Sequence, residues 1–224
     1  MKRALLPALF ALACCAAGQA TKDAEALLSK MRAAYGALKT AKLSTHCSSK
    51  GNRKSVEIDS DMLFKAPNNF SLESKLPADL NLKSPVYKVT TNGKNLRVEG
   101  LPGGTLTEKF TVEELQRNLP QCNLEVLCLW DWKQQLSTDL KRNMHFSKLE
   151  VKKDTWNGKT WTVLEETATG QFIRYFIDPK SNLIWRTIVS TGTGATFQDV
   201  WITKYEVGPS LSSSLFNVPG LPKD

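Results

Sequence analysis

The two histidines of the chain, His46 and His145, are its candidates for metal binding or acid–base chemistry. A zinc site needs His and Cys ligands at close paired spacings, and neither histidine forms such a pattern with Cys47, Cys122 or Cys128. A hydrolase needs a base held beside a nucleophile, and no Gly-x-Ser-x-Gly sequence flanks either histidine. The sequence therefore predicts no metal site and no catalytic residue at these positions.

Paired carboxylates are a second source of chemistry, because two acids at a fixed separation can act as acid and base. The candidates are Glu165-Glu166 and Asp59-Ser60-Asp61, and we interpret both as solvent-exposed strand residues. The glycine-rich segment 100–104 is not followed by the helix and lysine of a phosphate-binding loop, so it predicts a hairpin.

The chain is basic, with a formal net charge of +8 over 224 residues. This charge suits contact with an anionic membrane surface or an acidic partner. The basic residues are scattered, and no run of five or six occurs, so a nucleic-acid partner is not expected. An apolar content of 41% is that of a protein with a buried core.

The first twenty residues are typical of an export signal, because Lys2 and Arg3 precede an apolar run and small residues precede Thr21. We expect residues 1–20 to be removed, which lowers the net charge to +6, and residues 21–224 to form one periplasmic domain. The alternative is a lipoprotein anchored through Cys14 or Cys15.

Cysteine pairing is expected in an exported protein, because the compartment is oxidising. Three cysteines follow residue 20, so one thiol remains unpaired if the others form a disulfide. The pair Cys122 and Cys128 is favoured because the two are near in sequence, although spacing alone does not fix the connectivity.

The clearest element is an amphipathic helix from about residue 22 to residue 40, with Thr21 as its cap and Lys39 in its last turn. β-rich segments separated by Asn-Gly and Pro-Asn turns follow it. They predict strands at about 42–49, 54–65, 69–76, 86–91, 94–100, 105–109, 144–152, 159–167, 171–178, 183–190 and 196–206.

Helices are predicted between the two groups of strands, at 111–118 and about 123–138. The first begins with a capping box at Thr111 and Glu114. The connections between strands are too short for parallel crossovers, so the fold class is α+β with a mainly antiparallel sheet of ten or eleven strands. Such a sheet curls, and the helices are expected to cover its concave face.

The order of these elements and several local sequences resemble the outer-membrane lipoprotein carrier superfamily, with its LolA-like and LolB-like periplasmic members. The resemblance covers nearly the whole mature chain and rests on 26–38, 63–73, 175–184 and the closing segment 215–219, in which a Phe docks on the last strand. It implies an unclosed half-barrel around an apolar cavity.

The resemblance also implies a non-catalytic carrier or chaperone, without a cofactor, that holds the acyl chains of a lipoprotein or lipid and transports them, with a membrane or membrane-protein partner. Nine apolar or aromatic residues could line the cavity, although packing in an ordinary core is the favoured interpretation for each one taken singly: Tyr35, Leu38, Phe64, Phe70, Leu72, Trp130, Trp132, Phe176 and Trp185. The alternative function is an envelope-stress sensor or interaction module without cargo.

Overall fold

The computed structural model describes residues 19–50, 55–77, 84–119, 146–168 and 170–220. In chain order the elements are β1 (Gln19–Ala20), α1 (Lys22–Ala37), β2 (Thr40–Lys50), β3 (Ser55–Lys65), β4 (Asn69–Lys75), β5 (Val86–Asn92), β6 (Asn95–Leu101), β7 (Gly104–Lys109), α2 (Val112–Asn118), β8 (Phe146–Trp156), β9 (Lys159–Ala168), β10 (Gln171–Ile177), β11 (Ile184–Thr191), β12 (Thr196–Val207) and a 3₁₀ turn (Ser213–Phe216).

All of these strands form one sheet in the order β1-β8-β9-β10-β11-β12-β2-β3-β4-β5-β6-β7. Eleven strands pair antiparallel, and only the two-residue β1 pairs parallel, with β8. The pairing of β12 with β2 joins the two groups of strands. Within the described residues β1 and β7 are the two edges, so the sheet is unclosed, as predicted.

Helix α1 begins where the sequence indicates, because the Thr21 hydroxyl accepts a hydrogen bond from the Ala24 N–H at 3.2 Å. It ends at Ala37, three residues before the predicted end. Leu38 has extended backbone angles and β2 starts at Thr40, so Lys39 does not lie in the last helical turn. Within the described part of the chain, neither α-helix is long and apolar enough to cross a membrane.

The predicted turns form as their residues require. Asn157 and Gly158 join β8 to β9 with φ of 49° and 70°, the positive values of a two-residue hairpin turn. The Asn92 side chain accepts hydrogen bonds from the Lys94 and Asn95 N–H groups at the turn between β5 and β6. The segment 100–104 is a hairpin turn between β6 and β7.

Helix α2 confirms the prediction for 111–118, and the Thr111 hydroxyl accepts from the Glu114 N–H at 3.1 Å. The second predicted helix, at 123–138, lies outside the described residues. The 3₁₀ turn contacts mainly β4 and β5 rather than the last strand, which corrects the expectation for Phe216. Lys65 holds this turn by donating to the Leu211 carbonyl and the Ser213 hydroxyl.

The sheet has two faces, and the strand register shows on which face each residue lies. The helix face carries alternate residues such as Leu43, Met62 and Leu72, which lie beside one another on β2, β3 and β4. It packs against Tyr35 of α1 and against Leu38, which directly follows the helix. The outer face carries the intervening residues, among them His46 and Asp59.

Candidate ligand-binding site

The helix face holds the largest apolar cluster, and five of the nine predicted cavity residues lie in it. Tyr35 and Leu38 come from the end of α1, and Phe64, Phe70 and Leu72 come from β3 and β4. Phe64 lies opposite Phe70 in the strand pair, so their rings project to the same face. The tertiary structure therefore brings these five residues together beneath the end of the helix.

The other four predicted residues have different positions. Trp185 is partly buried and packs against both this cluster and a cluster on the outer face. Phe176 belongs to the outer-face cluster, with Trp161, Val163 and Ile188. Trp130 and Trp132 lie outside the described residues. Phe176 is therefore separated from Tyr35 and Phe70 by the sheet itself.

A second apolar cluster lies under the first half of α1. Ala24 and Met31 of the helix pack on Leu149, Leu164 and Ile177 of β8, β9 and β10. Helix α1 therefore crosses the helix face from β8 to β2, and it contacts the sheet through apolar side chains along its length. Of the residues in α1, the sequence predicts only Tyr35 at the site and misses Met31. Met31 lies four residues before Tyr35, and this helical spacing is the signal that places both on one face of the helix.

The interior of the helix face also contains polar groups. Ser60 and Ser74 are buried on neighbouring strands, and their hydroxyls lie 2.8 Å apart. The Tyr87 hydroxyl donates to the Asn118 carbonyl at 2.5 Å, which attaches α2 to β5. Burial raises the pKa of Tyr87 to about 12, so this hydroxyl stays protonated as a donor.

Glu166 is a buried acid on this face, which corrects the expectation of a solvent-exposed carboxylate. Its side chain is 4% exposed, and it accepts a hydrogen bond from the Tyr175 hydroxyl at 3.3 Å. Burial raises its pKa from 4.5 to about 7, and the bond from Tyr175 opposes the rise. Glu165 projects to the outer face and pairs with Lys152, so the two acids cannot act together.

The remaining chemical candidates lie away from this cluster. His46 is on the outer face, where its two ring nitrogens lie 2.7 Å and 2.8 Å from carboxylate oxygens of Asp59 and Glu57. Asp61, also on the outer face, accepts from the Ser44 hydroxyl. Cys47 is buried beside Ile58 and Val200. His145 and the Cys122–Cys128 pair lie outside the described residues, and within those residues no group of His, Cys, Asp and Glu is suited to hold a metal.

Comparisons with known proteins yield similar folds and no sequence match: no protein-family model and no curated protein sequence matches this chain. An uncharacterized conserved protein from Thermus thermophilus matches with a TM-score of 0.56 at 8% identity, over 88% of this chain and 95% of that protein. MucB matches with a TM-score of 0.51 at 12% identity, over 90% of this chain. The match spans 65% of MucB, less than two thirds of its length.

A LolA superfamily protein from Nitrosomonas europaea is also among the similar structures, with a TM-score of 0.44 at 10% identity over 87% of this chain and 97% of that protein. The structural neighbours thus include a protein of the superfamily that the sequence resembles. At identities of 8–12%, these likenesses concern the fold alone. The chain therefore has a fold similar to those of the Thermus thermophilus protein and MucB.

Proposed function

We propose that this protein is a non-catalytic carrier of the cell envelope that holds acyl chains of a lipid or lipoprotein between α1 and the helix face. The single observation that carries the proposal is the way α1 lies on the sheet. Its buried residues contact two apolar clusters, one under each half of the helix. An acyl chain offers the sheet the same kind of surface as these side chains do.

In this proposal α1 acts as a lid. When it moves away from the sheet, an acyl chain takes the places of residues such as Met31 and Tyr35. Each buried methylene of the chain is worth about 0.8 kcal/mol, so an acyl chain can offset the loss of the helix contacts. No covalent step and no cofactor is required.

The sequence supports the envelope location and the kind of cargo. The export signal predicted at residues 1–20 directs the chain out of the cytoplasm, and residues 21–224 form the mature domain in this proposal. The resemblance to lipoprotein carriers supports acyl chains as cargo. We further propose the Cys122–Cys128 disulfide as part of the exported protein.

Native mass spectrometry of the mature protein from an envelope extract, followed by lipid extraction, tests this function. We expect a chain that starts near Thr21 and retains a lipid or acylated peptide in stoichiometric amount. A bare chain that also fails to bind a fluorescent fatty acid, such as 11-dansylaminoundecanoic acid, would contradict the proposal. Acylation at Cys14 or Cys15 would replace the soluble carrier with an anchored one.

Two matched phenylalanine variants locate the site. Phe70 and Phe176 are both almost fully buried, but they lie on opposite faces of the sheet. Phe70→Leu and Phe176→Leu remove the same atoms from two cores, so their effects on packing are comparable. We expect Phe70→Leu to change the Kd of the dansyl probe several-fold and Phe176→Leu to leave it unchanged. Equal effects would exclude the helix face as the site.

The second candidate function is an interaction module without cargo, and the outer face favours it. Phe176 and Trp161 form an apolar cluster there, and the partly exposed Trp156 packs against it. Phe176 and Trp161 are themselves buried, so Trp156 is the residue of this group that could meet a partner, and tryptophan is enriched at protein interfaces. A protein that is isolated without lipid but with a bound partner protein would favour this function.

A further inference from the structure

The outer face carries a cavity that the acyl-chain proposal does not use. It lies between β2 and β12, and its volume is about 280 Å³. This is close to the lower limit of ordinary ligand pockets, about 300 Å³. Its walls are formed by Ser48, Lys50, Thr196, Phe197, Asp199 and Trp201.

Four of these residues come from β12 and line the cavity together, with Phe197 at the bulge where β12 shifts its register against β11. Phe197 and Trp201 stand on either side of Asp199. Ser48 lies directly opposite Asp199 in the strand pair, and Lys50 is two residues further along β2. The cavity wall thus combines two aromatic residues with a carboxylate, a hydroxyl and an ammonium group.

The Trp201 ring has an aromatic neighbour on the adjacent strand. The His46 ring lies against it at a centroid distance of 4.5 Å, with an angle of 40° between the two ring planes. His46 is fixed in turn by Asp59 and Glu57, which contact its two ring nitrogens at 2.7 Å and 2.8 Å. A tryptophan ring with such a neighbour is held in a defined position, which favours ligand binding.

Asp199 is also fixed, because Arg186 donates to both of its carboxylate oxygens, at 2.8 Å and 2.5 Å. The guanidinium of Arg186 itself lies 5.1 Å from the centre of the Trp156 ring. This pair neutralises the carboxylate, so Asp199 does not attract a cation strongly. Each of its oxygens still has a further lone pair that can accept from a ligand O–H.

The polar groups of the cavity exclude a purely apolar ligand. Lys50 can donate hydrogen bonds, and Asp199 can accept them. A ligand that covered these groups without hydrogen bonds would leave them desolvated and unsatisfied, which is costly. The ligand therefore needs an apolar surface for Trp201 and, beside it, groups that both donate and accept.

We propose that this cavity binds a pyranose unit of a glycan. One face of a pyranose ring is lined with C–H bonds that can lie on the electron-rich face of the indole. Its hydroxyl groups can donate to Asp199 and accept from Lys50, because each hydroxyl does both. The site lies across the sheet from the proposed acyl site and stands independently of it. The glycan can be a free oligosaccharide or the sugar of a glycolipid.

Isothermal titration of the mature protein with N,N′-diacetylchitobiose and with maltose tests this inference. We expect saturable binding of at least one disaccharide, with Trp201→Ala weakening it at least about tenfold and Trp201→Phe by about threefold or less. Thermal melts of each variant confirm that it is folded. The absence of saturable binding for both sugars would overturn the proposal, and so would equal binding by wild type and Trp201→Ala.

A matched pair of lysine variants tests the polar wall without disturbing the core. Lys50 and Lys42 both project from β2 to the outer face, but only Lys50 lines the cavity. We expect Lys50→Ala to weaken sugar binding by about threefold and Lys42→Ala to leave it unchanged. If Lys50→Ala and Lys42→Ala weaken sugar binding to the same extent, the assignment of the sugar site to the cavity beside Lys50 is wrong.

The source of the sugar is tested with lipopolysaccharide and with the oligosaccharide released from it by mild acid. Equal, Trp201-dependent binding of both supports a free glycan. Tighter binding of the intact molecule that is still reduced by Trp201→Ala supports a glycolipid. Binding of the intact molecule that is insensitive to Trp201→Ala would overturn the glycan site, even if the acyl site is correct.

Discussion

The hydroxyl oxygen of Tyr35 accepts a hydrogen bond from the backbone N–H of Ile184 at 3.0 Å, across 149 positions of the sequence. Tyr35 lies near the end of α1, and Ile184 is the first residue of β11. Both residues are buried, so water does not compete for this bond. It gives the otherwise apolar contact of α1 with the sheet a fixed position.

Tyr35→Phe should loosen α1. The variant leaves the buried Ile184 N–H without its acceptor, and an unsatisfied group of this kind costs about 1–3 kcal/mol. We expect the free energy of unfolding in urea to fall by this amount, the Ile184 amide to exchange faster with deuterium, and the dansyl probe to enter faster. Unchanged amide exchange and probe uptake would show that this bond does not hold a lid.

Glu166→Gln should remove a pH dependence of stability. The pKa of Glu166 rises from 4.5 to about 7 on folding because the group is buried. The folded protein therefore binds more protons than the unfolded chain between these values, and its stability falls as pH rises through this window. The fall is roughly 3 kcal/mol, at about 1.4 kcal/mol per pKa unit.

Urea unfolding of wild type and variant from pH 4 to pH 8 measures this effect. We expect the stability of Glu166→Gln to exceed that of wild type increasingly as pH rises. Glu165→Gln is the matched control, because Glu165 lies on the outer face and its removal leaves Glu166 to titrate. If Glu165→Gln and Glu166→Gln flatten the curve equally, the assignment to Glu166 is wrong.

His46 should titrate above its ordinary pKa of 6.5. Desolvation lowers this pKa, but the hydrogen bonds and charges of Asp59 and Glu57 raise it by more, so the net shift is upward. The stabilisation from charged His46 is complete below pH 6.5 and is lost as pH rises through the raised pKa. Proton NMR titration measures it, with His145→Gln assigning the two histidine signals.

Asp59→Asn and Glu57→Gln provide the controls for His46. Each removes one negative charge beside a ring nitrogen, so each should lower the measured pKa of His46. A wild-type pKa at or below 6.5, or no response to either variant, would mean that the two carboxylates do not hold the imidazolium in solution.

Gly100→Ala and Gly36→Ala should have opposite effects on the stability of the protein. Gly100 has a φ of +86°, and an added Cβ would lie 2.3 Å from the Val86 carbonyl oxygen. Gly100→Ala should therefore destabilise the protein by more than about 2 kcal/mol through strain and collision. Gly36 lies within α1 with open space around it, so Gly36→Ala should stabilise by about 0.5–1 kcal/mol. Thermal and urea unfolding measure both, and destabilisation by Gly36→Ala would contradict this geometry.

The sequence by itself determines the local elements. The start of α1 follows from the helical spacing of apolar residues and the Thr21 cap. The strands and the turn at Asn157-Gly158 follow from short-range patterns and from the backbone angles that these residues favour. The early end of α1 does not follow, because Leu38 takes an extended conformation where the chain turns into β2.

Only the tertiary structure decides which residues meet. The pairing of β12 with β2, which unites the sheet, joins segments about 150 positions apart that no local pattern connects. The face of a strand changes with every residue, so Phe176 and Ile177 lie on opposite sides of the sheet, and Phe176 is excluded from the predicted cavity. The same alternation along β9 turns Glu166 to the buried helix face and its neighbour Glu165 to the outer face. Local sequence sets the period of each strand, whereas register and packing decide which of its two faces is covered.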